Sequence, residues 1–402
     1  MFLINSSSPS SSPWMLAAVA LVWCSAALVV YVWAGYPLLL ALLSAAARRP
    51  RAEAGYYPFL TVLIAARNEA LNIAGKLQQT LALDYPADKL EILVVSDASS
   101  DGTDGIVESF SDPRIRCLRI DPRRGKTHAQ NEGIQHCRGE VIVFSDATTI
   151  YHKDSLKYLA SHYRNPKVGA VSGRYRYFDP EGNSPTGLGS VAFWNFENLI
   201  KRFQSRIATL TGCSGCIYSV RKSLYTPLPD DACSDLVEPL CVVRQGYRVA
   251  FEERALAYEE TTKTTTQEFT MRVRVVTRGI RGVLSVPELL KPWKRPWISF
   301  QLFSHKLGRW LAPVCIVLFF LGTAVLSGVL LYRALFALQV LFYGIALLSR
   351  RLPRHGAWKI VGLPHYFCIM NLAALAALRE MLKGNRFAVW ETVRSAPVTP
   401  AR

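Results

Sequence analysis

The stretch that decides the fold is Val141–Thr149, VIVFSDATT. Its apolar run, Val141–Phe144, is too short for a helix and stops on Ser145 and Asp146. A short apolar run bounded by polar residues reads as a buried parallel strand. In open α/β sheets ligands sit beyond the carboxyl ends of the strands, so Asp146 is offered to whatever binds there. A lone Asp at a strand end can equally do no more than cap the helix that follows. The neighbouring strand ends decide between the two.

Working outward, residues 59–173 alternate between strands and helices. FLTVLI, EILVVS, RIRCLRI, EVIVFS and VGAVSG read as strands, and helical segments begin near Asn68, Gly102, Lys126 and Lys153. This order predicts a doubly wound α/β domain. Residues 174–285 are more mixed: a helix around Phe193–Arg206, the TGCSGCIY turn, a helix over Asp235–Gln245 and a strand near Tyr247–Phe251. They extend the same domain, which is expected to cover 48–284.

The flanks are of another kind. Of the 402 residues half are hydrophobic, yet the formal net charge is +17, and mean hydropathy is positive. That combination suits apolar spans flanked by Lys and Arg, and the chain length predicts more than one unit. No zinc-finger spacing, RNA-binding signature or isolated basic helix is present, which argues against nucleic acid as the partner of this charge. Nine scattered cysteines do not form a disulfide framework. Cys213-Ser-Gly-Cys216 has redox or half-zinc spacing without a companion pair, so a metal there is not expected.

After a Ser/Pro-rich tail expected to be disordered (1–13), Trp14–Ala47 is long and apolar enough to span a bilayer. Arg48, Arg49 and Arg51 follow it, and the positive-inside rule puts that end in the cytoplasm. Ser285–Arg309 interleaves aromatics and cations and is expected as a helix lying in the interface. Trp310–Leu331 and Ala334–Leu348 read as spans joined at Tyr332-Arg333, followed by a basic loop with Arg350, Arg351, Arg354 and Lys359. Gly362–Leu378 is a third apolar stretch, placing the C-terminal membrane region at 310–381 with two or three spans and a basic tail at 382–402. If Gly362–Leu378 crosses, Lys383, Arg386 and Arg394 lie outside; if it is re-entrant or interfacial they stay inside. A crossing is the expectation taken.

Four strand ends converge on the edge where Asp146 sits. Ala65-Ala66-Arg67-Asn68-Glu69 enters a helix and can present N–H groups and a carboxylate to a nucleotide. The second ends in Asp97 and small residues. Arg123-Arg124-Gly125-Lys126 puts cations just before a helix, where dipole and charge both favour phosphate. Asp146 ends the fourth, and the convergence of four such ends makes a site of what alone could be a cap. A P-loop reading of Gly125-Lys126-Thr127 fails because position 120, which would need Gly, is Ile.

Together these segments closely resemble a membrane-bound family 2 glycosyltransferase with a GT-A fold, of the exopolysaccharide or poly-N-acetylglucosamine synthase kind. The resemblance continues through Gly169–Gly173, Thr211–Tyr218, Ser234–Leu240, Ser304-His305-Lys306 and the tail from Gly384 to Arg394, and so covers nearly the whole chain. It implies a Rossmann-like, nucleotide-diphospho-sugar transferase domain inserted between an N-terminal transmembrane helix and C-terminal ones. It also implies a catalytic domain on the cytoplasmic side of the inner membrane. The donor site would comprise Ala65, Arg67, Glu69, Asp97, Lys126, Asp146 and Arg278, with Asp97 at the uracil ring, Lys126 facing the diphosphate, and Asp146 opening the DxD element that holds ribose and a divalent cation, Mg²⁺ or Mn²⁺. Asp235 takes the place of the catalytic base, which removes the proton of an acceptor hydroxyl. Trp194, Gly212 and Cys213 would shape the acceptor side, although Trp194 can as well be core. The implied partners are a UDP-sugar, a glycan or lipid-linked acceptor, and membrane lipids, with further synthase subunits as an additional possibility.

Three positions depart from the family pattern. Thr148 stands where the last Asp of DxD is usual, a much weaker cation ligand. Ser234 replaces the acid beside Asp235. The QxxRW element of processive synthases is Val275-Val-Thr-Arg278-Gly279, which keeps only the Arg. Two alternatives therefore stand: a polyprenyl-phosphate sugar transferase, favoured by the basic stretch Lys291–Lys306, and a non-catalytic partner in a synthase complex, favoured by Thr148 and Ser234.

Overall fold

In the computed structural model of the protein, residues 13–47, 55–178, 187–260, 264–349 and 361–387 are described. Most of the expected tail, the cations Arg48, Arg49, Arg51, Arg350, Arg351, Arg354 and Lys359, and Arg394 lie outside the described residues.

The first four long strands are β1 (Leu60–Ala66), β2 (Leu90–Asp97), β3 (Ile115–Ile120) and β4 (Val141–Asp146), and the helices α3 (Ile73–Leu81), α4 (Thr103–Glu108) and α5 (Lys126–His136) connect them. They pair in parallel, β3-β2-β1-β4, with Ala65 level with both Val95 and Asp146. A parallel sheet is covered on both faces, and the alternation of side chains shows it. Leu63, Ala65, Leu93, Val95, Ile142 and Phe144 point into one core cluster, while Val62, Ile64, Ile92, Val94, Val141 and Val143 point into the other.

Beyond β4 the sheet becomes mixed. It continues through β7 (Ile217–Arg221), β6 (Val168–Phe178), β8 (Arg248–Glu260) and β5 (Ile150–Tyr151), making a sheet of eight strands among the described residues. β7 runs antiparallel to β4 and β6, whereas β6 and β8 are parallel. Phe144 of β4 stacks on Tyr218 of β7 at 4.6 Å, a pairing worth about 0.5–1.5 kcal/mol beyond its buried area. Helices α6 (Ser155–Ser161), α7 (Gly187–Ile207), α8 (Ser234–Arg244) and α9 (Thr265–Leu284) complete the domain. The fold is a mixed-sheet GT-A half-barrel flanked by apolar helices.

On the N-terminal side, α1 (Pro13–Val30) and α2 (Tyr36–Ala46) are joined by a π-helical turn, Tyr31–Gly35, into one apolar rod. On the other side, 285–309 is not one continuous helix. Pro287–Leu290 is a 3-10 turn, and α10 (Pro296–Gln301) runs through a π-helical turn, Leu302–Leu307, into α11 (Gly308–Val325). Proline explains the break: it lacks an N–H and is tolerated at the first turn, where Pro287 and Pro296 sit. The joint between spans also differs, falling at Leu326–Val329 around Ser327-Gly328 instead of Tyr332-Arg333. Tyr332 and Arg333 belong to α12 (Leu330–Leu348), and Arg333 Nε donates back to the Ser327 carbonyl at 3.2 Å.

Among the described residues three helices are long and apolar enough to cross a membrane: Pro13–Ala46, Pro296–Val325 and Leu330–Leu348. Gly362–Leu378 lies in α13 (Gly362–Leu382), which is not among these three and packs both on the α/β domain and on α11 and α12. Ala374 and Ala377 of α13 meet Val276 and Ile280 of α9, small residues letting the two backbones come close enough for Thr277 Oγ1 to donate to the Ala377 carbonyl at 3.4 Å.

Candidate active site

A single cavity of about 1180 Å³ opens at the carboxyl ends of β1 and β4 and continues along α9 to Trp33, His305, Arg309 and Trp310 of the apolar helices. Of the residues singled out from sequence, Ala65, Glu69, Lys126, Asp146, Trp194, Gly212, Cys213, Asp235 and Arg278 line it; Arg67 and Asp97 do not.

Asp97 is fully buried at the end of β2. Its two carboxylate oxygens accept the backbone N–H groups of Arg124 and Gly125 at 2.8 and 2.9 Å, so it shapes the loop that launches α5. Gly125, at φ 101°, supplies the left-handed turn there. Arg67 Nη1 donates to the Asp97 carbonyl at 2.9 Å, tying β1 to β2. Of the basic run, Arg124 is paired with Asp230 at 2.8 Å, and Lys126 alone lines the cavity. Glu69, buried, accepts Asn72 Nδ2 at 2.8 Å, and its N–H donates to Thr103 Oγ1 at 2.9 Å.

The Lys126 ammonium is ion-paired with Asp146 Oδ1 and reaches the Gly215 carbonyl at 3.5 Å. Burial alone would lower its pKa, but the Asp146 carboxylate outweighs it and the pKa is raised, with Asp235 adding to the effect. Asp235, in the first turn of α8, lies across Gly215: a Cβ on that glycine would sit 2.7 Å from Asp235 Oδ2. A glycine is therefore needed to keep this carboxylate open to the cavity. Cys233 Sγ–H donates to Asp235 Oδ1 at 3.0 Å, and Cys213 N–H donates to the Asp235 carbonyl at 2.8 Å. Burial pushes the Cys213 thiol up to about 12 and Cys216 well above its ordinary value. Both cysteines are free and serve the turn as buried apolar groups.

Arg278 lies in the cavity wall, held by the Asp231 and Ala232 carbonyls and by Thr127 Oγ1 at 3.1 Å. Trp194 lines the cavity and also packs edge-on against Tyr175 at 4.6 Å, so its two readings coexist.

Several residues here carry no sequence signal. Lys76, buried on α3, donates to the Thr149 carbonyl at 2.7 Å and lies 4.1 Å from the Tyr151 ring centroid; burial pulls its pKa down to about 7 despite Asp146 nearby. Lys201 on α7 donates to Ser214 Oγ at 2.7 Å, beneath the turn that carries Gly215. Glu259 at the end of β8 accepts Thr148 Oγ1 at 3.3 Å and the Tyr175 hydroxyl at 2.5 Å. These residues are brought in by tertiary packing from positions tens to more than a hundred residues away.

Among the described residues no group of three or more His, Cys, Asp or Glu could hold a cation unaided. A nucleotide-bound Mg²⁺ or Mn²⁺ needs less, since phosphates and water supply most of its ligands and the protein one or two carboxylates. Asp146 fits that role, and Glu259 brings a carboxylate to the side of Thr148, where position 148 itself offers none.

Residues 61–226 match the family model Glycosyl transferase family 2. The "Probable glycosyltransferase YdaM" of Bacillus subtilis is 29% identical over 308 residues, 72% of this chain and 68% of that protein. A poly-beta-1,6-N-acetyl-D-glucosamine synthase of Staphylococcus epidermidis is 28% identical over 208 residues, and the chain spans about half the length of that relative, 49%. Among solved structures, the mannosyltransferase PcManGT of Pyrobaculum calidifontis, in complex with GDP-Man and Mn2+, superposes with a TM-score of 0.72 at 22% identity, covering 92% of this chain and 98% of that one. The last likeness establishes the fold.

Proposed function

The chain is a membrane-associated glycosyltransferase carrying a family 2 domain, and from that premise we propose that it moves a sugar, with inversion, from a UDP-sugar to a glycan or lipid-linked acceptor. The reading places the work at the cytoplasmic face of the inner membrane, in polysaccharide or exopolysaccharide synthesis. The observation that carries it is the meeting of Lys126, Asp146 and Asp235 in one cavity: a cation flanked by Asp146, with a second carboxylate just across Gly215.

In this mechanism Lys126 stabilises the charge that grows on the diphosphate as UDP departs. Asp235 takes the proton of the acceptor hydroxyl, making a weak nucleophile competent. Attack from the face opposite the leaving UDP inverts the anomeric carbon, so an α-linked donor gives a β-linkage. Asp146, with Glu259 of the same cavity at the side of Thr148, would hold a divalent cation on the diphosphate, which adds Lewis-acid stabilisation of the leaving group. The similarity to a poly-N-acetylglucosamine synthase supports an N-acetylhexosamine as the sugar.

The test is UDP release by purified membranes from several UDP-sugars, with and without Mn²⁺, comparing wild type with Asp235→Asn. Turnover that depends on one donor and is lost in the variant is expected. Absence of turnover with every donor sinks the enzyme reading, and undiminished turnover in Asp235→Asn sinks the assignment of the base.

A further inference from the structure

One face of α9 carries Gln267, Met271, Arg274 and Arg278, and all four line the cavity. Val276 and Ile280, elsewhere on the same helix, pack against Ala374 and Ala377 of α13. Arg274 and Arg278 are neighbours at i and i+4, where like charges repel. Arg278 spends its donors on the Asp231 and Ala232 carbonyls and the Thr127 hydroxyl. Arg274 is half-buried and makes no hydrogen bond or ion pair among the described residues. Burial, then Arg278, disfavour its charge, yet a guanidinium does not give up its proton in a protein. A permanent cation half-buried in a cavity wall without a counter-ion is open to an anionic ligand.

Position decides which anion. Arg278 touches Thr127, the neighbour of Lys126, and so stands beside the group that takes the donor diphosphate. Arg274 stands one helical turn further from that contact, about 6 Å along the axis. The same cavity continues past Met370, Asn371 and Ala374 of α13 to Trp33 and Trp310 of the apolar helices, where the charged groups Glu197, His305 and Arg309 are paired with one another. An occupant reaching from Arg274 to those helices is apolar at one end and phosphorylated at the other. Asp235, a carboxylate, accepts a proton from a hydroxyl but repels an attacking phosphate, so the phosphate at Arg274 anchors the acceptor and is not the nucleophile.

Resting on the glycosyltransferase reading, we propose that Arg274 binds the phosphate of a lipid-phosphate-linked sugar acceptor, with the lipid lying along α13 toward the apolar helices and a sugar hydroxyl presented to Asp235. The acceptor oxygen forms a bond to the anomeric carbon as its proton passes to Asp235. The bond from that carbon to UDP breaks with its electron pair leaving on the β-phosphate. The guanidinium fork suits a phosphate better than an ammonium does.

The test compares the full-length protein in detergent with Arg274→Gln and Arg274→Lys on two acceptors bearing the same sugar, a polyprenyl-diphosphate-linked one and an alkyl glycoside without phosphate. UDP affinity and thermal unfolding are measured in parallel. Expected is a KM for the phosphate-bearing acceptor raised at least ten-fold more than that for the alkyl glycoside in Arg274→Gln, an intermediate rise in Arg274→Lys, and an unchanged dissociation constant for UDP. Weakened UDP binding in Arg274→Gln would assign the residue to the donor and overturn the proposal. Equal losses on both acceptors, or a wild type that extends alkyl glycosides but ignores the phosphate-bearing acceptor, overturn it while leaving the transferase reading intact. Transfer to a bare polyprenyl phosphate that survives Asp235→Asn overturns it as well. A wild type that releases no UDP from any UDP-sugar, with either acceptor, overturns both.

Discussion

The two ends of the cavity use charge in opposite ways. At the strand-end mouth, Lys126 and Asp146 keep 24% and 32% of their side-chain surface exposed, so their pairing can open to a ligand. At the membrane end, Glu197 of α7 is held by His305 Nε2 at 3.2 Å and by Arg309. His305 Nδ1 lies 3.2 Å from Thr211 Oγ1, and Arg309 sits against the rings of Trp33, Phe193 and Phe196. Burial alone would raise the Glu197 pKa, but Arg309 and then His305 hold it well below the usual carboxylate range. Partly accessible charge stands where the proposed chemistry needs it. Charge that is buried and mutually satisfied joins the apolar helices to the transferase domain.

If that division is right, substitutions at the two ends fail differently. Asp235→Asn should lower kcat by about 10²–10⁴, the usual worth of a general base, while leaving the unfolding midpoint in place; a shifted midpoint would move Asp235 to the architectural side. Glu197→Gln leaves Arg309 buried without its counter-charge and should cost about 3–5 kcal/mol in chemical unfolding of the detergent-purified chain. Adding Arg309→Met to that variant should return part of the loss, and additive losses would break the idea of a mutually satisfied pair. Lys126→Met should raise the donor KM about ten- to a hundred-fold, the loss of a charge-assisted hydrogen bond of about 1.5–3 kcal/mol, with little change in unfolding.

A different kind of effect concerns Lys76, beneath the mouth. Its pKa is about 7 in the folded chain and near ~10.4 when unfolded. Between these values the unfolded state binds the extra proton, so stability rises with pH across that window; below about 7 both states are protonated and the slope vanishes. Lys76→Met should flatten the rise seen for wild type between pH 7 and 10 in thermal unfolding. An unchanged slope would remove Lys76 from the set of titrating groups.

The parallel half of the sheet was legible because an apolar run such as Val141–Phe144, closed by Asp146, is a local signal, and parallel pairing then lines up the strand ends on one edge. Asp97 was legible as a strand-end acid, but its hydrogen-bond partners were not, since the N–H groups it accepts belong to Arg124 and Gly125 in a later loop. The helical flanks were legible as apolar length. Their joints were not, because Pro296 starts a helix that runs on into the span, and Ser327-Gly328 breaks the chain where composition alone stays apolar.

What the sequence determined by itself is therefore the set of elements and the acids and Lys126 at their ends: each is written in a few consecutive residues whose period and polarity force a local conformation. The tertiary structure alone decided that Lys76 supports the loop after Asp146, that Glu259 stands beside Thr148, that Arg274 faces the cavity uncompensated, and that Glu197, His305 and Arg309 join domain to membrane helices. Those partners are separated by up to 112 residues, and a contact of that range leaves no periodicity in the chain to read.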